Sequence, residues 1–256
     1  MNSTYSVLAK PVLVTENLLP MPLHKPNRRS TWSPSLREII DTFGPLPDDT
    51  LLLGQGEDGK AILLNLQEVS LGPLLIKGDS GTGKTHFLLS IAKFVEIAYT
   101  PEKMQYCVIT PYTEEWQESL SESRNCVGVF TSGNANVCCL IQSLAAWLHK
   151  GARSGQTILF LVDGLEYTSK WDVETQTYME AVLKHGAKQR VWTIATVNWQ
   201  TQVDVFWLDL FGVHLVSSPP NTERLPPMIA TLVGPRFGIY QGDRWIRFWI
   251  PSLDEQ

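Results

Sequence analysis

GDSGTGKTHF, Gly78 to Phe87, lies between two apolar runs, PLLIK before it and LLSIAKFV after it. Three glycines within six residues, Gly78, Gly81 and Gly83, lead directly into Lys84-Thr85. The spacing Gly78, Gly83, Lys84, Thr85 fits G-x-x-x-x-G-K-[ST]. A chance match in a chain of this length is expected roughly once in a hundred. The pattern has a physical basis. Phosphate needs several backbone N–H groups converging on one point, in conformations that glycine adopts cheaply. A helix starting there adds unpaired donors and the positive end of its dipole. The segment therefore predicts a strand, a phosphate-binding loop and a helix. Gly78, Ser80, Gly81, Thr82, Gly83, Lys84, Thr85 and His86 are the expected nucleotide contacts. Lys84 is suited to reach the β- and γ-phosphate oxygens, and the Thr85 hydroxyl to coordinate Mg²⁺. Asp79 occupies a variable position and is read as solvent-facing.

Such a loop calls for an acid at the tip of a neighbouring strand to hold the Mg²⁺ ion. TILFLVDG supplies Asp163 after an apolar run. Hydrolysis further needs a carboxylate to orient the attacking water. The position after Asp163, where a Glu is often found, is Gly164. Glu166 is the nearest candidate, the alternative being a helix cap or a surface charge. A polar residue at the tip of the following strand can sense the γ-phosphate. In VWTIATVNWQ that residue is Asn198, with Gln200 second, the alternative being a residue that closes a turn.

The rest of the chain gives this site a frame. Of 256 residues, 43% are hydrophobic and 18% charged, an ordinary globular composition. The net charge of −5 argues against a uniformly basic DNA-coating protein, though not against a local basic lining. Cys107, Cys126, Cys138 and Cys139 show no metal spacing and read as reduced thiols of a cytoplasmic protein. No secretory leader is evident and no apolar run approaches about 20 residues, so no membrane span is expected. Residues 1–45 carry recurrent prolines and a basic cluster, His24, Lys25, Arg28 and Arg29, and read as an extended arm. Within that arm SPSLREIIDTFG suggests a short helix capped by Ser33 or Ser35 and ended by Gly44. LLLGQ and AILLNL around EDGK predict a hairpin. TEEWQESLSESRN reads only as a polar stretch. From residue 46 onward, apolar strands alternate with helical patterns, including a helix from Val173 to Lys188. The predicted fold is α/β: a RecA-like P-loop domain over 46–256, with a mostly parallel central sheet, helices on both faces and a C-terminal β-hairpin.

The order LLLGQGEDGKAILLNL then PLLIKGDSGTGKTHFLLSIAKFV resembles the motor core of the FtsK/HerA superfamily, with Gly78, Gly81, Gly83, Lys84 and Thr85 matching its phosphate loop. The helix after Asp163 followed by VWTIATVN is similar to that family's helix and sensor strand, with Asn198 where Gln is usual. FGVHLVSS and GPRFGIYQGDRWIRFWIP look like its closing strands. The resemblance covers about residues 48–251. It implies ATP and Mg²⁺ as cofactors, a ring that is typically hexameric, and movement along double-stranded DNA. The chain departs from the family at Gly164, and it is expected to be a minimal member without membrane anchor, winged helix or barrel. Asp-Gly-Leu-Glu is also similar, locally, to the signature of NACHT-type switch ATPases.

Ring ATPases use an arginine in trans; Arg124, Arg153, Arg190 and Arg236 all fall near loops or strand ends. Trp199, Trp207, Trp245 and Trp249 read mainly as packing residues; Trp245 with Arg244 and Arg247 could instead stack on nucleic acid. Two readings of function follow. One is an oligomeric ATPase acting on double-stranded DNA or a nucleoprotein partner. The other is a nucleotide-gated assembly subunit that hydrolyses ATP slowly or not at all and recruits other protein subunits.

Overall fold

In a computed structural model, residues 5–7, 34–120, 123–150, 155–201, 205–217, 236–241 and 244–253 are described. Most of the proline-rich arm, its basic cluster, Arg153 and the turn at Gly242-Asp243 lie outside them.

Strand β1 (Tyr5–Val7) and helix α1 (Leu36–Phe43) precede the hairpin of β2 (Thr50–Gly56) and β3 (Ala61–Asn65). Then come β4 (Leu74–Gly78), α2 (Lys84–Ala98), β5 (Met104–Thr110), α3 (Thr113–Leu120), β6 (Cys126–Thr131) and α4 (Asn136–Lys150). The chain continues through β7 (Thr157–Val162), a 3₁₀ turn at Leu165–Lys170, α5 (Val173–His185), β8 (Val191–Asn198), α6 (Val205–Asp209) and β9 (Val213–Ser217). A final hairpin joins β10 (Arg236–Gln241) to β11 (Arg244–Trp249).

Among the described residues all eleven strands form one sheet, ordered β1-β3-β2-β11-β10-β9-β4-β8-β7-β5-β6. The run from β9 to β6 is parallel throughout. The run from β3 to β9 is antiparallel, and β1 joins β3 in parallel. The sheet is thus mostly parallel, as the alternation of strands and helices implies. Successive residues of a strand face opposite ways, and here both faces are covered. On β4, Leu74 and Ile76 join a core with α1, α2 and α3, while Leu75 joins a second core with α4, α5 and α6. Burial on both faces explains why the central strands read as unbroken apolar runs rather than alternating ones.

Helix α2 is held by aromatic packing. Phe87 meets Phe237 with ring centroids 4.9 Å apart, and Phe237 meets Phe248 at 6.2 Å, so the terminal hairpin braces the helix that carries Lys84 and Thr85. Helix α1 has Ser35 as its cap: Ser35 Oγ accepts from the Glu38 N–H (3.1 Å) and Glu38 Oε2 accepts from the Ser35 N–H (2.8 Å). Its buried Leu36 and Ile39 dock into the first core, and Ser252 bridges to Pro34 and Leu36 through the backbone.

Two sequence expectations change. The polar stretch after β5 contains a helix, α3, because Trp116 and Leu120 lie four residues apart and both are buried. The helix expected to reach Lys188 ends at His185, where Gly186 enters a separate short turn against the carbonyls of Val182 and Val191.

Candidate functional site

At the C-terminal end of β4 the chain turns through residues 79–83 into α2. Gly81 and Gly83 hold φ of 76° and 85°, and Gly83 is the residue from which the helix starts. Gly78 is fixed by crowding: a Cβ there would lie 1.7 Å from Ser217 Oγ and 2.7 Å from Thr82 Oγ1. Those two hydroxyls are themselves 2.7 Å apart, tying the loop to the end of β9. The Lys84 ammonium donates to the carbonyls of Gly78 (3.0 Å) and Asp79 (2.7 Å), so it lies across the loop. Burial lowers its pKa below the ordinary lysine value, while the negative charges of Glu166, Asp163 and Asp79 push the other way. Asp79 thus contributes through its main-chain oxygen, which also accepts from Thr82 Oγ1.

Asp163 stands one residue beyond β7 and is 6% exposed. Thr85 Oγ1 donates to it at 3.0 Å and 3.2 Å from its two oxygens. The helix after the loop and the acid on a different strand are therefore brought together across 78 positions of sequence. Three further donors surround the carboxylate. Thr196 Oγ1 donates to Oδ1 at 3.0 Å, and Thr110 Oγ1 and Trp116 Nε1 each donate to Oδ2 at 3.4 Å. Sequence reading missed all three, as it missed Ser217. A threonine inside the apolar run VWTIATVN was a faint signal for Thr196; nothing marked Trp116.

Beyond Asp163 the backbone turns sharply. Gly164 has φ of 92°, and a Cβ on it would lie 2.6 Å from the Tyr167 ring. Its N–H donates to Thr196 Oγ1 at 2.8 Å, so that one hydroxyl serves both Asp163 and the turn. Glu166 follows on the 3₁₀ turn with Oε2 buried and no hydrogen-bond partner among the described residues. Of the negative groups acting on Lys84, Glu166 acts most strongly.

Asn198 is paired with Gly78 in the β4–β8 register, which puts the tip of β8 beside the loop. Its Oδ1 accepts from the Gln200 N–H at 3.1 Å, so the side chain also closes the turn. The His86 ring turns to the chain's far end, where Nε2 lies 3.2 Å from the Pro251 carbonyl oxygen. Ile250 Cδ1 would lie 3.8 Å from a Cβ on Gly83, so the segment after β11 flanks the loop. Arg124 and Arg190 precede β6 and β8, at the end of the sheet opposite the loop. Arg190 is bonded there to Asp49. Only the backbone of Arg236 is described; it precedes Phe237, the partner of Ser217, at the loop's end. Trp199 is 47% exposed at the tip of β8, whereas Trp207 is buried.

The site offers hard oxygen ligands: one hydroxyl, on Thr85, and one carboxylate, on Asp163. Among the described residues no group of three or more His, Cys, Asp or Glu could hold a metal unaided. That donor set suits Mg²⁺, which keeps several waters and takes one or two carboxylates plus substrate phosphate oxygens.

No protein-family model and no curated protein matches the sequence. Solved structures do. EccC from Thermomonospora curvata (ATPases 2 and 3, in complex with a signal sequence peptide) is 14% identical over 89% of this chain and 44% of its own, with a TM-score of 0.63. A structure described as an ATPase is 15% identical over 89% of this chain and 97% of its own, at 0.66. The pCW3 conjugation coupling protein TcpA, with ATPγS, is 11% identical over 89% and 71%, at 0.62. The chain spans less than half of EccC. At such identities the likeness shows the fold, and the fold is the one the motifs predict.

Proposed function

Starting from an FtsK/HerA-type P-loop ATPase fold, we propose that this protein binds and hydrolyses ATP with Mg²⁺, as an oligomeric motor acting on double-stranded DNA or a nucleoprotein partner. The observation that carries this reading is the contact of Thr85 with Asp163 beside the Lys84 ammonium. It joins the three groups that Mg²⁺-nucleotide binding needs, from separate stretches of sequence. In this reading the backbone from Gly78 to His86 cradles the phosphates. Lys84, now on the loop carbonyls, would offer its charge to the nucleotide's phosphates, and Thr85 and Asp163 would hold the metal. Glu166, with a buried oxygen and no partner among the described residues, orients the attacking water. The Asn198 amide NH₂ senses the γ-phosphate while its oxygen holds the turn. Residues 46–256 carry the ATPase domain, to which β1 adds an edge strand and α1 a docked helix from the preceding segment.

Among the described residues no helix is long and apolar enough to cross a membrane; work in the cytoplasm is part of the proposal. The ring and the DNA partner rest on the resemblance to the FtsK/HerA superfamily; the TcpA structure is of a monomer form. Conjugative coupling in TcpA fits a DNA partner, whereas EccC binds a signal peptide. A second reading has its own observation. The Tyr167 ring against Gly164 excludes a side chain from the position after Asp163, which favours a slow, nucleotide-gated subunit that recruits proteins.

Lys84→Ala is expected to abolish ATP binding in isothermal titration calorimetry. Binding as tight as wild type would overturn the site.

A further inference from the structure

The donors around Asp163 go beyond what the phosphate loop requires. Its two oxygens are held separately: Oδ1 by Thr196, and Oδ2 by Thr110 and by the indole N–H of Trp116. These residues come from β8, from the end of β5 and from α3, so three elements fix one carboxylate. Trp116 is fully buried and Thr196 is 1% exposed, which leaves little room for either to follow a carboxylate that rotates away. A buried donor stripped of its acceptor bears its full desolvation penalty, so rotation of Asp163 is opposed from both sides. Mg²⁺ tolerates little departure from octahedral geometry, so the orientation of its single protein carboxylate matters for binding.

We propose that Trp116 and Thr196 are positioning residues that set the Asp163 carboxylate for a divalent cation, with α3 as the element that carries this constraint. The inference rests on the reading of Asp163 as a metal ligand given above. It predicts that the indole N–H, beyond the packing of the ring, determines how strongly Mg²⁺ is taken up with nucleotide. A ring that only filled the core would be replaceable by phenylalanine with no change in metal dependence.

The test follows a fluorescent ATP analogue as Mg²⁺ is titrated, with binding in EDTA as the baseline. The proteins compared are wild type, Trp116→Phe, Thr196→Val, Thr196→Ser and Asp163→Asn. Trp116→Phe and Thr196→Val are expected to raise the half-saturating Mg²⁺ concentration roughly tenfold, as groups that orient a metal ligand commonly do. Binding in EDTA should stay as in wild type, and Thr196→Ser, which keeps the hydroxyl, should titrate like wild type. Should Trp116→Phe fail to fold, the Val and Ser variants at Thr196 decide the matter. Wild-type Mg²⁺ dependence in the folded Phe and Val variants, alongside a shifted Asp163→Asn, overturns the inference and leaves Asp163 as a ligand. Wild-type dependence in Asp163→Asn as well overturns both.

Discussion

Gly164 shows how a single backbone angle decides the placement of the chemistry. At φ of 92° and with the Tyr167 ring against its Cα, the residue after Asp163 cannot carry a side chain without displacing that ring. In the proposed hydrolysis the carboxylate that orients water comes from farther along: Glu166, two positions on, has a buried oxygen with no partner among the described residues. Gly164→Glu should therefore fail to speed turnover. The left-handed backbone alone is expected to cost about 1–2 kcal/mol, with displacement of the ring added, readable as a lowered thermal midpoint. Glu166→Gln should keep ATP affinity while lowering kcat by about a hundredfold or more, the usual scale for a proton-transfer or positioning group. An unchanged kcat would remove Glu166 from the mechanism. Lys84 explains why the loop was legible in sequence: its partners Gly78 and Asp79 lie six and five positions away, so the cradle is written in contiguous residues. Trp116 and Thr110 were not legible: Thr85 and Asp163 lie 78 positions apart yet each sits in a recognisable pattern, whereas a threonine ending a strand and a tryptophan in a polar stretch carry no pattern that points to Asp163.

At the scale of elements, β9 joins the loop to the antiparallel half of the sheet through Ser217 and Thr82. Earlier on the same strand, burial and the nearby Lys77 charge lower the His214 pKa below the ordinary 6.5, against the Phe211 carbonyl and Asp209, which raise it. Folded His214 thus stays neutral at a pH where the unfolded chain already binds a proton. Stability is retained above pH 6.5 and is lost as pH falls from there toward the folded value. In chemical denaturation, wild type should lose stability between pH 7.5 and pH 5.5, and His214→Gln should lose less. Equal losses would show that His214 does not titrate in this way. The apolar strands β4, β7 and β8 were readable from their runs of buried residues. Helix α3 was not, since two buried residues among polar ones carry too little periodicity, and Trp116 looks in sequence like any packing tryptophan.

For the whole molecule, the sheet places the phosphate loop, Asp163 and the tip of β8 side by side at the carboxyl ends of neighbouring parallel strands. Sites in open α/β sheets gather at that edge. The terminal hairpin closes the arrangement from behind, as Phe237 and Phe248 pack on Phe87 and Pro251 meets His86. The segment after β11 therefore links α1 to the loop: Ser252 is bonded to the start of α1, and the preceding residue touches the helix that follows the loop. In a motor, ATP turnover at this edge would be coupled to a polymer held elsewhere on the assembly. The most direct measurement is steady-state ATP hydrolysis by the purified protein with Mg²⁺, with and without duplex DNA. A motor predicts Mg²⁺-dependent turnover that rises severalfold with DNA and disappears in Lys84→Ala. A slow turnover unmoved by DNA would contradict the motor and leave the nucleotide-gated subunit in its place.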